Sequence, residues 1–269
     1  MSSDTPDQSS AGETYSDGEV QSLELVWGAG YLSPGGSEAV ARIVDGVSVA
    51  EKVVLDLGCG IGGPAMDLVR VHGAKHVLGV DVVTNNLQRA AETVAAAEMA
   101  DRISFQLVQS GPLPFADAAF DIVFSKDALV EAPDKELLFA EARRVLHPEG
   151  WLMASDWLRS DGPISPQLQH WVDFSGSQET PHSFHLASLS ETRHTLRALG
   201  YVEIEIKNEN AWYRQEARRE LALKEKHWRQ FVLLRGERDA EQSVAWHRAM
   251  IEVLDSGDFC PSCFRARKP

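Results

Sequence analysis

From residue 52 onward the hydrophobic positions alternate between two rhythms. "KVVLDLG" is a β-branched apolar run ending in glycine, the pattern of a strand buried on both faces. "GPAMDLVRVHG" follows with its apolar residues on one helical face and a proline in the first turn. "HVLGVD" reads as strand two, "NNLQRAAETVAAAEM" as an alanine-rich helix and "RISFQLV" as strand three. "FDIVFS" is strand four, "DKELLFAEARRVL" a helix opening on Asp134, and "GWLMASDW" strand five. Strand–helix alternation at this spacing predicts an open, doubly wound parallel sheet in an α/β domain, with ligands at the carboxyl ends of its strands.

The flanks follow other patterns. Residues 1–14 are polar and without apolar periodicity, which predicts a disordered tail. "SEAVARIVDG" predicts a short helix with Ser37 as N-cap and Gly46 as its stop. After residue 160 a loop-rich stretch with aromatic residues and histidines precedes "SETRHTLRALG", a helix capped at both ends. "YVEIEIK" alternates as a half-exposed strand, and "AWYRQEARRELALKEKHWRQFVLL" reads as one long charged helix, a lid or sheet cover. The expected organisation is the tail, an N-terminal segment and helix over 15–46, and a main domain over 47–269. That domain divides into a cofactor half (47–157), a substrate and cover half (158–257) and a terminal strand (258–269).

Composition narrows the class without changing this picture. With 269 residues and 43% hydrophobic content the chain can bury a full core in one large domain. A net charge of −14 argues against nucleic-acid or anionic-membrane partners, which want a basic face. No apolar run approaches the roughly 18 residues of a membrane span, and the N-terminus lacks a basic-then-apolar signal pattern. The expectation is a soluble, cytoplasmic monomer or homodimer. "CPSC" (260–263) has metal or redox spacing but no second such pair, and the histidines at 170, 182, 185 and 194 lack an H-x-x-x-H arrangement. Reduced thiols on a terminal strand and no metal are therefore expected, with His182 and His185 as candidate substrate contacts.

The sharpest local signal is "LDLGCGIGG" (55–63), between strand one and the first helix. Gly58 and Gly60 let backbone approach a ligand, and the helix N-terminus beyond offers free N–H groups. As a bare glycine pattern it also fits a dinucleotide enzyme. However, Asp56 on the strand would crowd a pyrophosphate with negative charge, and the glycine spacing misses G-x-G-x-x-G. A carboxylate there suits a cationic ligand head, such as a sulfonium with an α-ammonium. Asp81, ending strand two, stands where an acid would take two ribose hydroxyls.

"VVLDLGCGIGG" with the following "GVD", "FDIVFSKDAL" and "ARRVLHPEGWLMASD" together resemble the motifs of class I S-adenosylmethionine-dependent methyltransferases over residues 50–157. The resemblance implies a Rossmann-like, seven-stranded, mostly parallel sheet with helices on both faces and S-adenosyl-L-methionine as cofactor. Cys59, Val82, Ser110 and Lys126 then join Asp56, Gly58, Gly60 and Asp81 as expected cofactor contacts. "YSDGEVQSLELVWGAGYLSPGGSEA" (15–39), followed by "SKDAL", is similar to the phosphoethanolamine N-methyltransferases. That narrower likeness implies an N-terminal lid over the site and a turn touching the cofactor, matched by Leu32 and Ser33. It also implies a catalytic tyrosine at Tyr15 and an amine-binding aspartate at Asp127, while Glu131 stands in the place of the family's histidine. Trp157 and "HSF" (182–184) stand where that family grips a phosphate.

Methyl transfer to nitrogen is an in-line displacement that needs alignment, exclusion of water and a neutral amine. Asp127 and Glu131 could hold the amine's proton, and i, i+4 spacing on a helix would put both on one face. Trp157 and Tyr15 would be cation–π walls. Structural roles compete: Asp127 as an N-cap, and Glu131 paired with Lys135 if the helix passes Pro133. The expected function is N-methylation of a small amine or amino-acid-like acceptor. Transfer to oxygen or sulfur of a natural-product-like acceptor, a nicotinamide-dependent oxidoreductase, and a non-catalytic binding module are the alternatives.

Overall fold

The computed structural model describes residues 15–176 and 184–269. In chain order the elements are α1 (Asp17–Trp27), α2 (Gly36–Ile43), β1 (Val53–Leu57), α3 (Gly63–Arg70), β2 (His76–Asp81), α4 (Thr84–Ala96), β3 (Ile103–Leu107) and β4 (Phe120–Lys126). A 3-10 turn (Leu129–Glu131) leads to α5 (Lys135–Val145), β5 (Leu146–Arg159), α6 (Pro166–Gly176), α7 (Leu189–Ala198) and β6 (Val202–Asn208). The chain closes with α8 (Asn210–Lys226), α9 (Trp228–Arg235), α10 (Glu237–Ser256) and β7 (Phe259–Arg267).

The seven strands form one sheet in the order β3-β2-β1-β4-β5-β7-β6, with β7 antiparallel to both its neighbours. All other pairings are parallel, so the chain reverses its direction of winding between β1 and β4. That switch point opens a crevice at the strands' carboxyl ends. The expected doubly wound sheet is present, and its central strands carry the continuous apolar runs that burial on both faces requires. One face is sealed by α2 and α3 through Val40, Ile43, Ala65 and Leu68; the other by α5 and α7 through Phe139, Ala142 and Leu196. Among the described residues no helix is long and apolar enough to cross a membrane.

Four local expectations are corrected. The early helix begins at Gly36, with Gly35 rather than Ser37 at its N-cap, because Gly35 and Gly36 both take positive φ (83° and 49°) in a tight turn. The helix of residues 189–198 is capped by Ser188, not Ser190: the Ser188 hydroxyl and the Glu191 carboxylate form a capping box. The long charged helix bends at His227 into α8 and α9, which lets Phe231 bury against Val26 and Ala240 instead of projecting outward. Finally, no α-helix starts at Asp127. Its φ is 55°, and only a 3-10 turn follows before Pro133, so Asp127 and Glu131 do not share a helical face.

Candidate active site

The glycine loop is shaped by close approach. Gly58, Gly60 and Gly62 all have positive φ, and a Cβ on Gly58 would come within 2.2 Å of the Ala128 methyl. The Gly58 and Cys59 amides donate to the Val80 carbonyl at 2.8 and 3.0 Å, tying the loop to β2. Asp81 completes the tie: one carboxylate oxygen accepts from Gly60 N–H and the other from Val83 N–H, each at 2.9 Å. Burial raises the Asp81 carboxyl above its ordinary range, and these amide bonds pull it back.

Asp56 lies beneath this loop, fully buried, and neither carboxylate oxygen has a hydrogen-bond partner among the described residues. Burial first, then the neighbouring Asp81 charge, pushes its carboxyl up to about 8, and Lys126 opposes them. A buried, unpaired carboxylate is unfavourable by more than about 1–3 kcal/mol unless a cation or donor meets it. Such an acid at the floor of a glycine cradle fits a ligand with a positively charged head. Asp81 retains lone pairs for hydroxyl groups. The residues present therefore fit S-adenosylmethionine: Asp56 offers an unpaired acid for a charged end, Asp81 offers acceptors for ribose hydroxyls, and Gly58 and Gly60 leave the loop backbone open to close approach.

The N-terminal segment closes over this cradle. Gly63 N–H donates to the Gly30 carbonyl at 3.0 Å, and the Leu32 side chain lies against the open face of Gly60. Ser33 accepts from the Lys126 ammonium at 2.5 Å, and the Pro34 carbonyl accepts from it at 2.8 Å. That same ammonium donates to Asp127 at 2.9 Å, in a pair whose side chains are each 1% exposed.

Asp127 is thus a buried hub. Its carboxylate also accepts from the Ser155 hydroxyl on β5 at 2.7 Å and from the Tyr213 hydroxyl on α8, at 3.2 and 3.3 Å to its two oxygens. Glu131, at the end of the 3-10 turn, is exposed at the mouth. It lies close enough to Tyr15 to act on it: the phenol is held above its ordinary range by burial first and by the Glu131 carboxylate second. The structure therefore brings Tyr15, Glu131 and Asp81 to one rim. Lys135 does not pair with Glu131. It reaches the Leu129 carbonyl at 2.7 Å and Asp156 at 2.6 Å, which leaves the Asp156 carboxyl, raised to about 6 by burial, under the turn.

The remaining expected residues lie further out. Val82 and Ser110 are exposed on loops after β2 and β3, strands that run side by side in parallel. Trp157 is not an open wall. Only 6% exposed, it sits within 5.2–6.1 Å (ring centroids) of Trp171, Phe184, Trp246 and Phe259. Val130, next to Glu131, packs on the same aromatic cluster. His185 is exposed, and its backbone N–H donates to the Val130 carbonyl at 2.7 Å; His182 lies outside the described residues. Tyr213, Ser155 and Glu220 were not singled out by sequence. For Tyr213 and Glu220 the signal is a buried face on α8 at spacing 213, 217, 220, 224, which polar side chains disguise as solvated; Ser155 is an inward-facing hydroxyl within the apolar run of β5.

The family model for a methyltransferase domain matches residues 48–216. Phosphoethanolamine N-methyltransferase of Triticum aestivum is 26% identical over 236 residues, covering 87% of this chain and 45% of that protein. Methyltransferase GfsG of Streptomyces halstedii is 40% identical over 110 residues, covering 41% of this chain and 39% of that protein. The chain spans about half the length of the phosphoethanolamine N-methyltransferases it matches. Among solved structures, Haemonchus contortus phosphoethanolamine N-methyltransferase 2 in complex with S-adenosyl-L-methionine superposes with a TM-score of 0.84 at 24% identity, covering 95% of this chain and 58% of that one. The orphaned acid, the glycine cradle and a family match over more than half the chain converge: this chain belongs to the methyltransferase domain family and carries a class I S-adenosylmethionine-dependent methyltransferase domain related to the phosphoethanolamine N-methyltransferases.

Proposed function

We propose that this protein transfers a methyl group from S-adenosylmethionine to the nitrogen of a small amine or amino-acid-like acceptor. The observation that carries the reading is the convergence of Asp56, Asp81, Asp127 and Glu131 with Tyr15 at the carboxyl ends of β1, β2 and β4. The Glu131 carboxylate, exposed at the mouth, attracts a protonated amine and stabilises a methylammonium product. When bound, S-adenosylmethionine supplies an electrophilic methyl on a sulfonium.

The amine attacks only as the free base, so a group of the chain must hold its proton. Glu131 is the exposed carboxylate at the rim, and Tyr15 beside it is a phenol kept protonated by burial and by that carboxylate. In this reading Glu131 takes the proton and Tyr15 orients the amine through its hydroxyl. Asp127, held by Lys126, Ser155 and Tyr213, fixes the end of β4 from which the turn to Glu131 departs.

The relatives' names support nitrogen as the acceptor atom. The surroundings favour an acceptor without a phosphate. Residues 160–192 contain no lysine or arginine, and Lys126, Lys135 and Arg159, with Arg89 and Arg235 beside Tyr15, are each committed to partners in the protein. The test is a screen of phosphoethanolamine, ethanolamine, glycine, sarcosine, a phenol and a thiol, with product identified by mass. Turnover of an unphosphorylated amine is expected. Preference for the phenol or thiol would remove the nitrogen assignment, and efficient turnover of phosphoethanolamine would remove the exclusion of phosphate.

A further inference from the structure

Helix α8 lies in the second half of the chain, yet its buried face is directed at the turn that covers the cofactor cradle. Glu220, fully buried, accepts a hydrogen bond from Gly35 N–H at 3.2 Å. Trp212 fills the space beside Gly35 so closely that a Cβ there would come within 2.4 Å of the indole. Tyr213, one position on, reaches the same turn through intermediates. Its hydroxyl donates to Asp127, Asp127 accepts from Lys126, and Lys126 donates to Ser33 and Pro34. Three successive residues of the turn, 33 to 35, are therefore held by one helix, directly through Glu220 and indirectly through Tyr213. Leu32, which precedes them, is the residue lying over Gly60.

We infer that α8 is the seat of the cofactor-covering turn, and that Tyr213 and Glu220 are positioning residues for cofactor binding. The physical basis is the environment of the Asp127–Lys126 pair. Two buried opposite charges keep one arrangement only if their remaining lone pairs and protons are satisfied. The Asp127 carboxylate has just two hydroxyl donors for that purpose, Ser155 and Tyr213, among the described residues. Without the Tyr213 hydroxyl the carboxylate is under-donated and draws the ammonium toward itself. Lys126 then loses its grip on Ser33 and Pro34, and Leu32 is released from Gly60. None of these residues needs to touch the acceptor, so this role is independent of which atom is methylated.

The probe is S-adenosylhomocysteine, with its affinity measured by calorimetry on the full chain. Tyr213→Phe should weaken it about 5- to 20-fold, a part of what a hydrogen bond to a charged group contributes, because the effect reaches the cofactor through intermediates. Ser33→Ala should weaken it as well, and the double variant should be no weaker than the worse single, because both break one chain of contacts. In steady state, Tyr213→Phe should raise KM for S-adenosylmethionine more than it lowers kcat. Arg214→Ala, whose side chain pairs with Asp255 on the outer surface, should bind as wild type does. Should Tyr213→Phe not fold, Ser155→Ala replaces it in the same cycle with the same expectation. Affinity of Tyr213→Phe within twofold of wild type, full additivity with Ser33→Ala, or an equal loss in Arg214→Ala would each overturn the assignment.

Discussion

The crevice between β1 and β4 and the face of α8 both place buried charge near the cofactor cradle, but by different means. In the crevice, backbone geometry dictates the residues. Gly58 must be glycine because Ala128 occupies the space of a side chain, and Asp81 is fixed by two loop amides. On α8 the backbone is an ordinary helix, and the side chains alone decide what is built. Glu220 and Lys224 are buried at spacing an apolar stripe would use. The difference teaches where each kind of site is robust: a loop defined by close approach fails when volume is added, whereas a helix face fails when one hydroxyl or carboxylate loses its partner.

The largest expected effects fall in the crevice. Asp81→Ala should weaken S-adenosylhomocysteine binding by at least about 100-fold, since it removes both the hydroxyl acceptor and the tie to Gly60 N–H. Equal binding by Asp81→Ala and wild type in calorimetry would mean that the loop between β1 and α3 does not hold the cofactor. Gly58→Ala should destabilise the fold by about 3 kcal/mol in denaturant titration, combining a positive φ of 73° with the clash on Ala128. A stable Gly58→Ala protein would mean that the loop moves as freely as a helix side chain.

A titration sharpens the contrast further. Asp56 has its carboxyl raised to about 8, so below that pH it is largely protonated in the free protein. A cationic ligand head favours the ionised form, and binding should release a proton. Affinity should therefore climb as pH rises toward about 8, by at most about tenfold per pH unit, and level off above it. Calorimetry in two buffers of different ionisation enthalpy measures the released proton. Asp56→Asn should bind more weakly and without the slope.

The same contrast explains how much was readable in the residue order. The five crossover strands, Asp56, Asp81 and the glycine cradle were legible because close packing admits few residue types at those positions. The resemblance put Leu32 and Ser33 in a turn that touches the cofactor; in the structure Leu32 lies against Gly60 and Ser33 accepts from Lys126. The 3-10 turn between Asp127 and Glu131 was not legible, because Ala128 and Leu129 are good helix formers, whereas the positive φ of Asp127 and the extended Ala132 before Pro133 leave room for a single turn. Tyr213 escaped notice for another reason. It sits in a stretch dominated by charges, and a buried polar stripe has the same composition as a solvated one. The resemblance puts Trp157, near the end of β5, at the substrate site, whereas four neighbouring rings enclose it, contacts that come from residues 14 to 102 positions away in the chain.

The smallest effect expected tests the α8 face by sign rather than size. Glu220 is raised to about 7, chiefly by burial, with Lys224, lowered to about 7, and His247, lowered to about 3, close to it. A carboxyl whose folded value exceeds its unfolded value binds more protons in the folded state, so its contribution to stability falls as pH rises from about 4.5 to about 7. Glu220→Gln keeps an oxygen for Gly35 N–H and removes the need to bury a charge. It should match wild type at pH 5, where Glu220 is already neutral, and exceed it by about 1 kcal/mol at pH 8, read as a higher denaturant midpoint. A loss of stability at pH 8 would mean that the charge itself, paired with Lys224 or His247, holds the helix in place. The α8 face would then be an ion-pair site like the Lys126–Asp127 hub, and not the neutral hydrogen-bonded latch that separates it from the crevice.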